Sequence, residues 1–416
     1  MENNVIKKVT HCRVCKSIQL SKVLSFGPTP LANAFLTKKE LDFPEAFYPL
    51  NLYLCNLCGL LQLSHVVSPH VLFKNYVYAS STSPVFVNHF KEFARGISSR
   101  FNLKKNSLIV DIGSNDGILL KPFKEIGMKV IGIEPASSIA KIARRKGIET
   151  VEEFFSENLA NKILDSKGTA KIITATNVFA HINDLDEIIK GADKLMGKNG
   201  IFIIEVPYLI DFLEKRYFDL VYHEHLSYWA VSPLVKLFNR FNMTIFDIQK
   251  VNSHGGSIRV FVKKNKGNFK IEKSVSEFVK SERKMRLNKV STYIDFGKLV
   301  LQNKMELVTL LTEVKLFNKK VIGYGAPAKG NTLLNYFKIG SEILDYIIDD
   351  SPLKQGLYTP GTHIPVVPPK ILDKHKPDYI LILAWNFAQS IIVKYQSFRE
   401  NGGRFIIPVP IPKIVS

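Results

Sequence analysis

Four consecutive positions, Tyr222-His223-Glu224-His225, carry side chains that donate, accept or exchange protons. Their neighbours Phe218, Leu220, Val221, Leu226, Tyr228 and Trp229 are apolar or aromatic. Such surroundings desolvate an imidazole and can hold its proton affinity near neutrality, where a general base works best. His223 read alone is a structural residue, whereas the cluster read whole is a reaction site. Its histidines stand two apart and share no helical face, so the His-Glu-x-x-His pattern of zinc hydrolases is not met. Upstream, Thr176-Asn177-Val178-Phe179-Ala180-His181-Ile182 closes a strand-like run, and reacting groups gather at the carboxyl ends of parallel strands.

A second constellation is the turn Asp111-x-Gly113-x-Asn115-Asp116-Gly117, between an apolar run and a helical pattern. Its glycines allow positive φ and close approach of a ligand. Glu134, followed by Pro135, ends the next strand-like run about twenty residues on, where a carboxylate can accept from both hydroxyls of a ribose. NAD and S-adenosylmethionine can each use this arrangement. The turn lacks the G-x-G-x-x-G that seats a pyrophosphate, and an acidic, amide-bearing loop suits the cationic amino-acid end of S-adenosylmethionine, which is the cofactor expected.

The four cysteines form two Cys-x-x-Cys pairs, Cys12/Cys15 and Cys55/Cys58. Two such knuckles complete a tetrahedral sulfur shell for Zn²⁺, closed to chemistry and therefore structural. Two disulfides or a redox pair are the other readings. Met1–Thr10 has lysines but no apolar core of a secretion signal, so a cytoplasmic, reducing location is expected, which disfavours disulfides.

These residues need a scaffold. The chain has 416 residues, of which 46% are hydrophobic and 11% aromatic, enough for two or three domains. No apolar run reaches the roughly 18 residues of a membrane span. A formal net charge of +20 would suit a nucleic-acid surface, but the lysines are scattered and no basic tract is interleaved with aromatics. Residues 1–75 read as the zinc-binding module, with Gly27-Pro28-Thr29-Pro30-Leu31 as a turn and an extended stretch. Tyr76–Phe101 reads as a connector and a helix, with Pro84 near its start and Val87, Phe90 and Ala94 at helical spacing. Strands are expected at Ser107–Ile112, Lys129–Ile133, Lys171–Thr176 and Gly200–Val206. Helices at about 137–146 and at Asp184–Met196 alternate with them, the pattern of a parallel sheet covered on both faces. Residues 244–251 and 257–263, joined by His254-Gly255-Gly256, read as an edge hairpin. The charged, helical stretch 270–317 marks a boundary, so the domains divide as 1–75, 76–268 and 269–416. Beyond it a second α/β pattern has strands at Lys320–Tyr324, Ile343–Ile348, Tyr379–Leu383 and, last, Phe405–Val409.

The second pattern has its own turn, Gly323-x-Gly325-x-x-x-Lys329-Gly330, with Asp349 and Asp350 ending the next strand. A dinucleotide could use it, although the glycine spacing is off the Rossmann fingerprint. A helix N-terminus with a lysine suits a diphosphate, which makes Lys329 a candidate phosphate contact and Asn386, placed after a strand, a second.

Taken together the motifs resemble one family, the zinc-containing sugar C-methyltransferases that act on nucleotide-linked keto-deoxysugars. The resemblance spans nearly the whole chain. It rests on Cys12-x-x-Cys15, Cys55-x-x-Cys58-Gly59, the Asp111–Gly117 turn, Glu134-Pro135, Asn177 with His181, Glu224-His225 and His254-Gly255-Gly256. It continues through Gly323-Tyr324-Gly325-Ala326, Ala328-Lys329, Thr359-Pro360-Gly361-x-His363-Ile364-Pro365 and Ala384-Trp385-Asn386. It implies an α/β protein: a zinc-binding module, a class I methyltransferase domain of Rossmann-like fold and a second Rossmann-like domain that holds the sugar nucleotide. The active site would lie between the last two, with His225 as the base and Tyr76, His181, Tyr222 and Glu224 lining the pocket. His254, Lys329 and Asn386 would face the substrate, while Asp111, Gly113, Asn115, Asp116, Gly117, Glu134, Pro135 and Asn177 hold S-adenosylmethionine. The implied reaction is methylation next to a 4-keto group, C-3 favoured; a monomer with no nucleic-acid partner is expected. The segment Tyr76–Ser81 and Ser257, where some members carry Glu, depart from the family pattern and bear on which sugar is accepted. The competing function is an RNA or DNA methyltransferase with a zinc reader domain, for which a second Rossmann-like unit has no obvious use.

Overall fold

Leu108–Ile112 is buried at all five positions, as a strand covered by helices on both faces must be. In the computed structural model, which describes residues 5–72, 80–82 and 84–416, it lies in a seven-stranded sheet. In order across the sheet the strands are Met243–Val251, Ser257–Lys264, Met196–Pro207, Ala170–Thr176, Leu108–Ile112, Lys129–Ile133 and Thr150–Val151. Every neighbouring pair is parallel except the two made by Ser257–Lys264. The chain order reverses beside Leu108–Ile112, and the crevice off the carboxyl ends at such a reversal is where ligands bind in open sheets. The helix Leu185–Leu195 is set by Asp184, whose side chain accepts from the Glu187 backbone N–H at 3.2 Å. The helix Pro84–Arg100 forms as expected, but its buried face is Phe86, Phe90, Phe93, Ala94 and Ile97. Val87 points outward, 43% exposed, because the phenylalanines carry the larger apolar area.

The C-terminal sheet has six strands in the order Val366–Val367, Ile347–Ile348, Val321–Tyr324, Tyr379–Ile382, Arg404–Ile407 and Lys413–Val415. All neighbouring pairs are parallel except the last. Three expectations are corrected here. Ile343–Ile348 pairs only over Ile347–Ile348, since Leu344 turns into the core before the ladder begins. Arg404–Ile407 is followed by another strand, Lys413–Val415. The helix after the Gly turn starts at Ala328, so Lys329 sits in its first turn instead of in the loop.

The zinc-binding module forms an antiparallel sheet from Leu20–Thr29, Tyr48–Cys55 and Leu61–Leu63. Its fourth strand comes from far along the chain: Ser227–Tyr228 pairs with Gln62 and Leu61. The strand that begins two residues after His225 is thus part of the N-terminal module's sheet. The 27-residue helix Val290–Leu316 joins the remaining parts. Its Gly297 lies against Leu24 of the module, and Asn303 Nδ2 donates to the carbonyls of Pro408 and Pro410 at 3.1 and 3.0 Å. Among the described residues no helix is long and apolar enough to cross a membrane.

Candidate active site

A cavity of about 530 Å³ opens at the carboxyl ends of the central strands and is closed on its far side by the C-terminal unit. The Gly-rich turn forms one wall. Gly113 has φ +68°, and a Cβ there would stand 2.7 Å from Val178 Cγ2, so the position admits only glycine without movement of the loop after Thr176. Asp111 accepts from the Thr174 hydroxyl at 2.6 Å. Burial raises the Asp111 carboxyl to about 7, against the pull of Thr174 and with a smaller push from Glu134. Glu134 accepts from the backbone N–H of Asn115 at 3.0 Å and of Ala136 at 2.9 Å. Each of its oxygens keeps lone-pair capacity for a further donor, the arrangement a pair of ribose hydroxyls requires. Asn177 has φ +56° and donates its backbone N–H to the Glu205 carbonyl at 2.8 Å. Its Oδ1 is buried in the cavity wall with no partner among the described residues. A cationic ligand with ribose hydroxyls fits these donors and acceptors.

Not every expected residue lies on this wall. Asp116 and Gly117 are not among the lining residues. Asp116 is turned away, accepting from Lys146 Nζ at 2.7 Å and from the Ser81 hydroxyl, so it anchors the segment over the turn. Gly117 abuts Ile148. His254 belongs to the turn Ser253–Gly255, and its side chain lies outside the described part, as does Tyr76 entirely.

Across the cavity stand Tyr222, Glu224, His225 and His181. His225 Nδ1 is 2.7 Å from the Leu220 carbonyl, which can only accept, so Nδ1 carries the proton. In the neutral ring Nε2 is then the acceptor, and Tyr222 Oη, 2.8 Å away, donates to it. Burial lowers the His225 pKa to about 4, partly offset by the Leu220 carbonyl, which keeps the imidazole neutral and its lone pair available. The rings of His181 and His225 lie 5.0 Å apart, because Leu226 N–H donates to the Ala180 carbonyl at 2.8 Å and draws the two segments together. Glu224 is pushed up to about 7 by burial, against a hydrogen bond from Asn33 Nδ2 at 2.6 Å. Asn33 comes from the zinc-binding module and lines the cavity. Its only signal in the sequence is the stiff Gly-Pro-Thr-Pro stretch just before it. His223 faces elsewhere, toward the Tyr48 carbonyl, as a structural histidine would.

The third wall carries Lys329, Lys354 and Asn386. Lys329 donates to Asn386 Oδ1 and lies 3.6 Å over the Trp385 ring, while Trp385 Nε1 donates to Asp219. Burial pulls the lysine down to about 7 and Asp219 opposes it. Lys354, which no motif marked, donates to the Ala326 carbonyl at 2.8 Å. Asp349 closes its own turn by accepting from Ala326 N–H at 2.7 Å and Ser351 N–H at 2.8 Å.

The four cysteine sulfurs lie within 4.8 Å of one another. Cys12 and Cys58 are 3.4 Å apart and Cys15 and Cys55 3.5 Å. A tetrahedral shell with Zn–S near 2.3 Å needs S···S spacings of about 3.8 Å, so the thiols fit Zn²⁺ with little adjustment.

Known proteins match the chain along its length. It is 35% identical over 413 residues to the C-methyltransferase NovU of Streptomyces niveus, covering 99% of this chain and 98% of that enzyme. The chain belongs to the C-methyltransferase family. Family models match along its length: "Putative zinc binding domain" over residues 12–73, "Methyltransferase domain" over 87–247 and "C-methyltransferase C-terminal domain" over 252–410. The ubiquinone biosynthesis O-methyltransferase of Pelagibacter ubique is 26% identical over 153 residues, 35% of this chain and 62% of that one. Among solved structures, the magnesium protoporphyrin IX methyltransferase ChlM of Synechocystis PCC 6803 with bound SAM aligns over 47% of this chain and 92% of that chain, at 12% identity and a TM-score of 0.35. The C-methyltransferase described here is S-adenosylmethionine-dependent, and its N-terminal module is zinc-binding.

Proposed function

We propose that this C-methyltransferase alkylates the carbon next to the keto group of a nucleotide-linked deoxysugar, with a 4-keto sugar methylated at C-3 as the favoured case. The reading is carried by one observation: a neutral imidazole and a phenol, bonded to each other, stand in the same cavity as the Gly113–Glu134 wall and two buried lysines. A proton on carbon beside a carbonyl is weakly acidic, and a buried neutral imidazole is a base suited to remove it. The proton passes to His225 Nε2, directly or by exchange through Tyr222 Oη, while Nδ1–H stays on the Leu220 carbonyl. The charge left on the substrate becomes an enolate, and a hydrogen-bond donor at its oxygen contributes roughly 3–4 kcal/mol. Glu224, raised by burial, is protonated often enough near neutrality to be that donor, and Asn33 fixes its orientation. Bound S-adenosylmethionine supplies the sulfonium methyl, which moves to the substrate carbon as the methyl–sulfur bond breaks, leaving S-adenosylhomocysteine. Asp111, Asn115, Glu134, Pro135 and Asn177 orient that ligand. Lys329, Lys354 and the N-terminus of the helix Ala328–Phe337 offer positive charge to a diphosphate, and Asn386 holds Lys329 in place.

The test is incubation of the protein and S-adenosylmethionine with a panel of 4-keto sugar nucleotides, followed by mass spectrometry. A product heavier by one methylene, with the methyl on carbon, supports the proposal. Turnover of none of the panel, alongside methylation of RNA or DNA, refutes it.

A further inference from the structure

We propose that Arg13, carried between the cysteines of the first knuckle, is a positioning residue for the two imidazoles of the active site. The zinc-binding module then reaches the chemistry through it. The inference rests on the reading of His225 and His181 given above.

Arg13 is only 2% exposed and among the largest fully buried side chains. Its Nη1 donates to the Leu63 carbonyl at 2.7 Å and to the Leu226 carbonyl at 3.3 Å. Its Nε donates to Asn183 Oδ1 at 3.1 Å. Leu226 directly follows His225, and Asn183 stands two residues after His181 and lines the cavity. One guanidinium thus grips the segments behind both histidines, beside the Leu226–Ala180 bond that pairs them. The planar fork of arginine can aim donors in two directions at once, which a lysine ammonium does not reproduce. The root of the side chain is fixed as well: Arg13 N–H donates to Gln62 Oε1 at 2.9 Å, and Gln62 Nε2 donates to the His11 carbonyl at 3.1 Å. Four thiolates around Zn²⁺ leave a net double negative charge on the flanking knuckle, a counter-charge for a cation held out of water.

The module makes other contacts with the central domain: Arg240 donates to the Val14 carbonyl, Lys16 pairs with Asp186 at 3.1 Å, and Lys236 donates to the Leu57 carbonyl at 2.7 Å. Arg13 is the contact aimed at the reacting groups.

The experiment compares Arg13→Lys and Arg13→Met with wild type and with Lys236→Met, which loses a module contact remote from the cavity. Measured quantities are bound zinc, Tm, kcat and KM, together with the imidazole resonances of protein labelled with ¹⁵N-histidine. In the Arg13 variants zinc stays at the wild-type level and kcat falls about 10- to 100-fold, the scale expected when reacting groups are misplaced by a fraction of an ångström. KM changes by less than about twofold, since the ground-state contacts remain. The signals of His225 and His181 shift, and a zinc chelator shifts them in the same way in the wild type. Lys236→Met keeps kcat and the histidine signals. Should Arg13→Met fail to fold, Arg13→Lys decides. Wild-type kcat with unmoved histidine signals in Arg13→Lys overturns the proposal, as does a loss of kcat matching only the unfolded fraction. An active His225→Asn with shifted signals in Arg13→Lys would sink the assignment of the base and leave the clamp standing.

Discussion

Replacing Gly113 by alanine separates two costs that coincide at the cofactor turn. The first is conformational: φ is +68°, and a Cβ in the left-handed region costs about 1–2 kcal/mol. The second is steric. The new Cβ would lie 2.7 Å from Val178 Cγ2 and 2.9 Å from its Cβ, so Val178 and the Asn177–His181 loop must move by several tenths of an ångström. Overpacking of this kind costs roughly 1–3 kcal/mol. Gly168 provides the control: its φ is +83° and nothing lies within 4 Å of a Cβ there. Gly168→Ala should therefore show only the conformational cost, as a lowered denaturant midpoint. Gly113→Ala should bind S-adenosylhomocysteine about 30-fold more weakly, the equivalent of roughly 2 kcal/mol, whereas Gly168→Ala should keep the wild-type affinity. Isothermal titration calorimetry and urea unfolding of both variants measure this. Equal affinity in Gly113→Ala and Gly168→Ala would refute the close approach of ligand and turn.

Three further outcomes are expected. Neutral His225, with its pKa lowered by burial to about 4, is the active form, so the acid limb of kcat/KM should fall near pH 4 instead of near 6.5. An acid limb at 6.5, in a pH–rate profile, would contradict the buried setting. Glu205 accepts from His89 Nε2, the Ser253 hydroxyl and both Nε and Nη2 of Arg259, and these donors overcome burial to hold it at about 2. Because its folded pKa is depressed, its contribution is present above about pH 4.5 and lost as the pH falls from there toward 2. Glu205→Gln should then cost about 3–5 kcal/mol at pH 7, as breaking a buried pair does, and its urea midpoint should vary less than wild type between pH 4.5 and 2. Asn33→Ala leaves Glu224 without its donor and should reduce kcat roughly tenfold while S-adenosylhomocysteine affinity is kept, since only transition-state contacts are lost. A wild-type kcat in that variant would remove Asn33 from the site.

The elements around Asp111, Glu134 and Asn177 were legible because their signals are local. A buried apolar run, a glycine requiring positive φ and an acidic strand end each reveal themselves within a few residues. On the helix Pro84–Arg100 the spacing placed Phe90 and Ala94 on the buried face correctly and Val87 wrongly, since Val87 and Phe86 both fit the spacing to Phe90 and only tertiary packing selects the phenylalanine. No motif in the sequence marks Arg13. Its partners Asn183 and Leu226 lie 170 and 213 positions away, and no short-range pattern encodes them. The same holds for Ser227–Tyr228, whose two-residue strand gains its meaning only by completing a sheet begun at Leu20. Lys354 was hidden among many lysines and is distinguished only by burial at the cavity wall.

The central claim is that the Tyr222–His225 pair removes a proton from carbon within reach of the bound methyl donor. It is tested most directly in the His225→Asn variant. Two quantities are followed there: exchange of the substrate C–H with D₂O, read by mass spectrometry, and binding of S-adenosylmethionine, read by calorimetry. Exchange and methylation should fall together by at least about 100-fold, the low end of what a positioned base contributes, with the donor bound as tightly as before. Exchange at the wild-type rate in that variant would contradict it.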